Sequence, residues 1–270
     1  MYLEAILFDK SELINIKKNS TCTTMEIRLP IFAPINKATG KSKIFIEFQK
    51  NRRTRQITTQ WGEVFIKGSL LTQVHKDILD LIVSSAKKII ETKDERLLIE
   101  FSISEVLKKY KDTGKNHKWF KNILEDIITT VVKIKDHNNV EYYFHIIGSM
   151  KYDEGNNFVG IILSKEYLQF YKKTLSINYN KEVENIVHIE NSFIKSIIRF
   201  FISHNKINIE FDNLLTALGI DCNKTERNYR KLRKELETHI DCLNQFNIKY
   251  DKFKETLKYN GNDNVKFIFN

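Results

Sequence analysis

The chain has little that interrupts regular structure and nothing spaced like a metal site. Two prolines and nine glycines are spread over its 270 residues, so long uninterrupted elements are expected. The three cysteines, Cys22, Cys222 and Cys242, lack the close Cys or His pairs that a zinc site repeats, so no metal is expected. A reduced cytoplasm fits them. No stretch approaches the ~18 apolar residues of a transmembrane helix. Residues 1–8 are apolar but too short for the core of a signal peptide. Enzyme signatures are missing too. Gly40-Lys41-Ser42 has the end of a P-loop, but Ile35 stands where the upstream glycine belongs. No serine elbow, zinc-protease helix or glycine-rich dinucleotide turn occurs. No two histidines bracket one apolar residue, and His75, His145 and His188 read as helix-surface or strand residues. The chain is therefore expected to be neither an enzyme nor a cofactor binder, with no membrane partner.

Hydrophobic residues make up 41% of the chain, enough for cores in one large domain or two ordinary ones. Lys and Arg outnumber Asp and Glu by 44 to 34, a formal charge of +10. That excess favours polyanionic partners, although lysine-rich proteins of AT-rich genomes share it.

Three regions follow from the pattern. Residues 1–60 form an amino-terminal arm. Residues 1–18 are a short strand or helix, and Pro30 and Pro34 argue for a loop or edge. Lys37, Lys41, Lys43, Lys50, Arg52, Arg53 and Arg55 face one acid, Glu47, and Ile44, Ile46 and Phe48 alternate as a strand would. This stretch is a basic arm or a solvated loop. In residues 61–180, Val64 and Ile66 mark a strand, and Val74, Ile78, Leu81, Ile82 and Ile89 a helix over 72–91. Leu97, Ile99 and Phe101 alternate. Ser102 and Glu105 form a capping box opening a short helix, and Gly114 marks a turn. A helix over 116–131 buries Phe120, Ile123, Leu124, Ile127 and Val131, and a hairpin turns at 136–139. Residues 148–188 add a strand at 158–163 and a helix-like segment at 167–173. In residues 181–270, a helix over 189–204 precedes a strand at Ile207 and Ile209. A short helix then carries Phe211, Leu214, Leu215 and Leu218, closed by Gly219. Asn223 with Glu226 starts a helix running to Ile240, and 248–250 with 265–269 look like a second hairpin.

The same order thus occurs twice at an offset of roughly 108 residues: long helix, short strand, short helix, turn, longer helix, hairpin. The expected fold class is α+β, with two tandem winged-helix domains, each a helix-turn-helix with a β-hairpin wing. On the helix from 223 to 240, Tyr229, Leu232, Leu236 and Ile240 share one face. Lys224, Arg227, Arg230, Lys231 and Lys234 lie on or near the other. That cationic stripe suits phosphates, and Arg227, Arg230 and Asn228 are candidates for reading bases; Asn223 opens the helix. A solvated surface helix is the alternative. In the first half, Lys115, Asn116, His117, Lys118 and Lys121 sit at the start and outer face of the equivalent helix, whose amino end can hold a phosphate. Packing or subunit pairing explains that helix equally well. Lys252, Lys254, Lys258 and Lys266 fall on the second wing or on a surface loop.

Two stretches carry a family resemblance. Trp61-Gly62 followed by Leu70-Leu71-Thr72-Gln73-Val74-His75-Lys76-Asp77-Ile78-Leu79-Asp80 resembles the opening of theta-type plasmid replication initiators, the Rep superfamily that includes Trf-type proteins. Asn223 to Leu236, with Tyr229-Arg230-Lys231-Leu232 inside it, is the second match. The resemblance covers roughly residues 60–270. It implies two winged-helix domains bound to repeated double-stranded origin sites (iterons), opening of an AT-rich region, and recruitment of host initiator and helicase. It also implies a homodimer that exchanges with a monomer. The carboxy-terminal module would read bases most strongly, through Lys224, Arg227, Asn228, Arg230, Lys231 and Lys234. A plasmid or phage transcription regulator shares the same binding apparatus and is the alternative.

Overall fold

The computed structural model describes residues 21–40, 42–59, 62–92, 94, 96–111, 114–168 and 176–268. The expectations for residues 1–18, for Lys41 and Trp61, and for the 169–173 part of the helix-like segment lie outside the described residues. Residues 165–168 are helical.

The fold is mixed α+β, as the alternation of periods predicts. Four small antiparallel sheets carry fourteen strands among the described residues. Near the amino end come β1 (Cys22–Thr23), α1 (Thr24–Arg28) and α2 (Lys43–Lys50). The expected strand through Ile44, Ile46 and Phe48 is this α2. Ser42 accepts from the Phe45 N–H as its N-cap, and Phe48 is buried against Ile44 and Phe45 while Ile46 is left 39% exposed. A 44, 45, 48 stripe is a helical spacing, and the cap decides between the two periods. Next, β2 (Thr54–Thr59) pairs with β3 (Gly62–Lys67), so the basic stretch ends in a sheet.

The first half continues with α3 (Gln73–Ser84), β4 (Lys88–Glu91), β5 (Leu97–Ser102), α4 (Ile103–Lys111) and α5 (His117–Thr129). The expected helix over 72–91 stops at Ser84. Ile89 and Ile90 belong to β4, paired with Ile99 and Leu98 of β5. Ser102 Oγ accepts from the Glu105 N–H at 3.4 Å, as expected of the α4 start. Val131 falls beyond the end of α5 and opens β6 (Val131–Lys135). The hairpin of β6 and β7 (Glu141–Phe144) exists, but it extends the β2–β3 sheet through β3–β6 pairing. The hairpin that joins β5 is instead β8 (Ile147–Asp153) with β9 (Phe158–Leu163), in the order β4-β5-β9-β8.

After β10 (Ser176–Asn178) and α6 (Val183–His188), the second half runs α7 (Ser192–Ile202), β11 (Ile207–Glu210), α8 (Phe211–Ala217), α9 (Arg227–Thr238) and α10 (Ile240–Gln245). It ends in β12 (Ile248–Asp251), β13 (Thr256–Tyr259) and β14 (Lys266–Ile268). The expected second hairpin is corrected here: β12 pairs with β13, whereas β14 pairs with β10, which also holds β1. The 265–269 run has the alternation of a hairpin arm, but nothing local states which strand it joins. The order β11-β13-β12 repeats β5-β9-β8 of the first half. Both β5 and β11 precede a pair of helices, but the hairpin paired to β5 is β8–β9 and not the one expected to turn at 136–139.

One continuous hydrophobic cluster runs through both halves, from Cys22 and Leu29 through Phe101 and Phe120 to Phe201, Phe211 and Tyr259. Polar groups cross it as well. Arg55, counted among the basic stretch, is buried and donates to the carbonyls of Pro30, Ile31 and Gly219. Gly219 closes α8 at φ +68°, and a Cβ there would meet the Arg55 guanidinium at 2.8 Å, so both conformation and space call for glycine.

One partly buried histidine also bears on stability. His204, just past α7, packs on the Phe200 ring, and its Nδ1 donates to the Phe200 carbonyl at 2.9 Å. Burial and the nearby Arg28 push its pKa down to about 4 from the ordinary 6.5. A depressed histidine binds its proton more readily in the unfolded chain, so its contribution is full above pH 6.5 and fades as pH falls toward 4. After allowance for solvent at the open part of the ring, the expected loss is about 1–2 kcal/mol. Urea unfolding at pH 7 and pH 4.5 checks this. His204→Gln should lose less stability on acidification than the unsubstituted chain, and equal losses would assign the effect elsewhere.

Candidate nucleic-acid interface

Helix α9 follows α8 in the second half, and its two faces differ sharply. At 100° per residue, Tyr229 and Leu236 turn inward and are buried, with Leu232 packed beside them. Phe211 of α8 meets the Tyr229 ring edge-on, with centroids 5.3 Å apart. The Tyr229 hydroxyl donates to Asp212 at 2.7 Å. These contacts fix the rotation of α9 about its axis, so the opposite side must face out.

On that side Arg227, Arg230, Lys231 and Lys234 are exposed, and Asn228 is half-buried at its edge. Among the described residues, Arg227, Arg230 and Lys234 have no acidic partner within ion-pair distance. Lys231 reaches Glu235 at 3.6 Å within the helix. Lys224 departs from the sequence reading in kind: its Nζ is 2.9 Å from Asp212 and 3.9 Å from Glu255. The Asp212 bond raises its pKa, so this cation is held by the protein. The helix itself begins later than expected. Glu226 is the N-cap, and Asn223 lies in the preceding turn, where its N–H donates to the Glu226 carboxylate at 3.1 Å. Lys43 of α2 bonds that same carboxylate at 3.3 Å and so ties the amino-terminal stretch to the start of α9.

The hairpin beside α9 is keyed to it by charge. Arg233 pairs with Glu255 and, at 3.2 Å, with Glu237; Lys252 pairs with Glu237 at 3.0 Å. Lys249, Lys254 and Lys258 are exposed on the hairpin. Lys266 is exposed on β14, in the other sheet.

The first half offers a weaker field. Lys115, Asn116, Lys118 and Lys121 are exposed at the start of α5, where Asn116 caps the helix from a left-handed conformation and accepts from the Trp119 N–H. His117 lies 3.4 Å from Glu154, and Lys121 is 3.8 Å from Glu125. The adjoining hairpin tip carries Asp153 and Glu154 and no cation between Asp153 and Phe158. Acid at that tip repels phosphate, so cationic density is concentrated in the second half. His75 is not on the helix surface. It is buried, accepts from the Thr72 N–H at 3.0 Å to complete the α3 capping box, and faces Asp126. His145 contacts the Ile128 carbonyl, and His188 is exposed.

Among the described residues no group of three or more His, Cys, Asp or Glu side chains is placed to hold a metal, and no helix is long and apolar enough to cross a membrane. No curated protein and no solved structure matched the chain significantly. Residues 63–193 match the family model described as "Initiator Replication protein, WH1". The match spans β3 to the start of α7 and thus takes in α4, α5 and the β8–β9 hairpin. By that match, residues 63–193 are similar to the first winged-helix domain of replication initiator proteins.

Proposed function

We propose that the protein is a plasmid replication initiator that binds repeated origin sites through two tandem winged-helix units. In this reading α5 with the β8–β9 hairpin forms the first unit and α9 with the β12–β13 hairpin the second. The observation that carries it is the exposed stripe of Arg227, Arg230 and Lys234, paired with no acid among the described residues, on the helix that a winged-helix module lays in the major groove. Phosphates supply most of the affinity, with Lys231, Lys254 and Lys258 flanking. Arg227, Arg230 and Asn228 read base edges. The α5 start, through Lys115, Asn116, Lys118 and Lys121, adds a lesser contact. Binding at repeated sites opens an adjacent AT-rich region and brings in the host initiator and helicase, and a homodimer exchanges with the binding-competent monomer.

The test begins by selecting binding duplexes from a randomised pool with the full chain. The recovered sequence is expected to occur as short direct repeats beside the gene. A plasmid whose only origin is that segment should persist when the protein is supplied and be lost when the repeats are deleted. Recovery of one palindromic site whose deletion changes transcription but not plasmid maintenance would identify a regulator instead.

A further inference from the structure

The hairpin beside α9 ends in a side chain that the reading above leaves idle. Phe253 is 100% exposed, more than any other large apolar residue described. A single exposed ring means little by itself; its setting is what matters. The Asp251 carboxylate accepts from the N–H groups of Phe253 at 3.0 Å and Lys254 at 3.1 Å, and Glu255 turns the chain back at φ +49°. Residues on both sides reach back to α9. Lys252 bonds Glu237 at 3.0 Å, and Glu255 binds Arg233 and accepts from the Tyr229 hydroxyl at 3.3 Å. The tip is thus fixed relative to the helix that carries Arg227 and Arg230, and the ring between the two anchors projects fully exposed.

We propose that Phe253 is an apolar wedge for duplex DNA. With α9 in the major groove, the tip reaches the adjacent minor groove and the ring presses between two base pairs, while Lys254 meets a flanking phosphate. The inference rests on the DNA-binding reading. Duplex DNA is the partner whose chemistry fits: an anionic rim matches Lys249, Lys254 and Lys258, and the stacked bases inside match a phenyl ring. The minor groove, about 6 Å wide, admits a ring but not a helix. Wedges of this kind part a base step most cheaply at a flexible pyrimidine–purine step such as TA. A preferred TA or CA step at a fixed distance from the α9 contacts follows.

The experiment uses the full chain and the duplex recovered by selection, with 2-aminopurine replacing adenine at successive positions to report unstacking. The unsubstituted protein should raise the fluorescence at one step. Phe253→Ala should abolish that rise and bind roughly tenfold more weakly, with an unchanged salt slope because no cation is removed. Phe253→Trp should keep both. Retention of affinity and fluorescence by Phe253→Ala overturns the wedge. So does a fall in the mass of the free protein by light scattering with DNA binding intact, which would make Phe253 a contact between copies. If the unsubstituted protein recovers no duplex, the wedge falls together with the DNA-binding reading itself.

Discussion

Replacing Arg227 and Arg230 together by alanine should lower affinity for the selected site by about a hundredfold, and affinity for random duplex by much less. A well-placed arginine across a guanine discriminates by about 1–3 kcal/mol, and two such contacts set the scale. The geometry favours these two. They stand at the first and fourth positions of α9 on its exposed face, and neither is spent on an acid among the described residues. Lys254→Ala should instead weaken specific and random DNA alike, reducing the salt slope by about one unit per lost phosphate contact. Lys224→Ala is expected to do little to affinity, because Asp212 and Glu255 already hold that ammonium. Gel-shift titrations of both duplexes at several salt concentrations read all three. If the double variant loses specific and random binding equally, α9 is a phosphate clamp and base reading lies elsewhere.

The contrast between Arg230 and Lys224 shows what the sequence could say about the site. Helical period alone places Arg227, Arg230, Lys231 and Lys234 opposite Tyr229 and Leu236, since every term is local to one helix. It cannot see that Asp212 and Glu255, 12 residues before and 31 after Lys224 in the chain, converge on that lysine. The same limit explains the fold. The individual helices follow from spacings within ten residues, such as Phe211, Leu214, Leu215 and Leu218. The pairing of β14 with β10, and of the β6–β7 hairpin with β3, depends on register between distant strands. Phe253 is not legible in the sequence, because an exposed aromatic in a lysine-rich loop has no periodic signature. The buried charges were hidden for a different reason: surface placement is the rule for such residues. A signal for them existed. Asp77 and Asp80 sit three apart on a helix otherwise rich in Ile and Leu, and Lys195 and Arg199 sit four apart on another.

Arg199→Leu should destabilise the protein by about 3–5 kcal/mol, because it leaves an acid buried without its cation. The guanidinium spans both halves. It donates to Gln73 at 2.7 Å, to Asp77 at 2.7 Å, and to Asp80 at 3.0 and 3.2 Å. Lys195 joins Asp77 to the Val187 carbonyl, and Lys76 joins Asp80 at 2.7 Å to Glu26 at 2.6 Å. Glu26, Asp77 and Asp80 are thereby matched by Lys76, Lys195 and Arg199, with the Tyr167 and Tyr179 hydroxyls donating to Glu26 and Asp80. All six charged groups are buried. The cluster links α1 and α3 to α7, so it fixes how the first helix of the second half lies on the first half. Burial already raises the pKa of Asp77 against the pull of Arg199 and Lys195, and losing Arg199 raises it further. A raised acid binds its proton more readily in the folded chain, so the deficit of the variant should narrow as pH falls from 7 toward 5. Adding Asp77→Asn restores equal numbers of buried charges and should recover about half the loss. Urea unfolding of the three proteins at both pH values decides it, and in thermal unfolding the single variant should melt about 10 °C lower at neutral pH. A single variant within 1 kcal/mol of the parent, or a double variant worse than the single, would mean that packing rather than charge balance holds the halves in register.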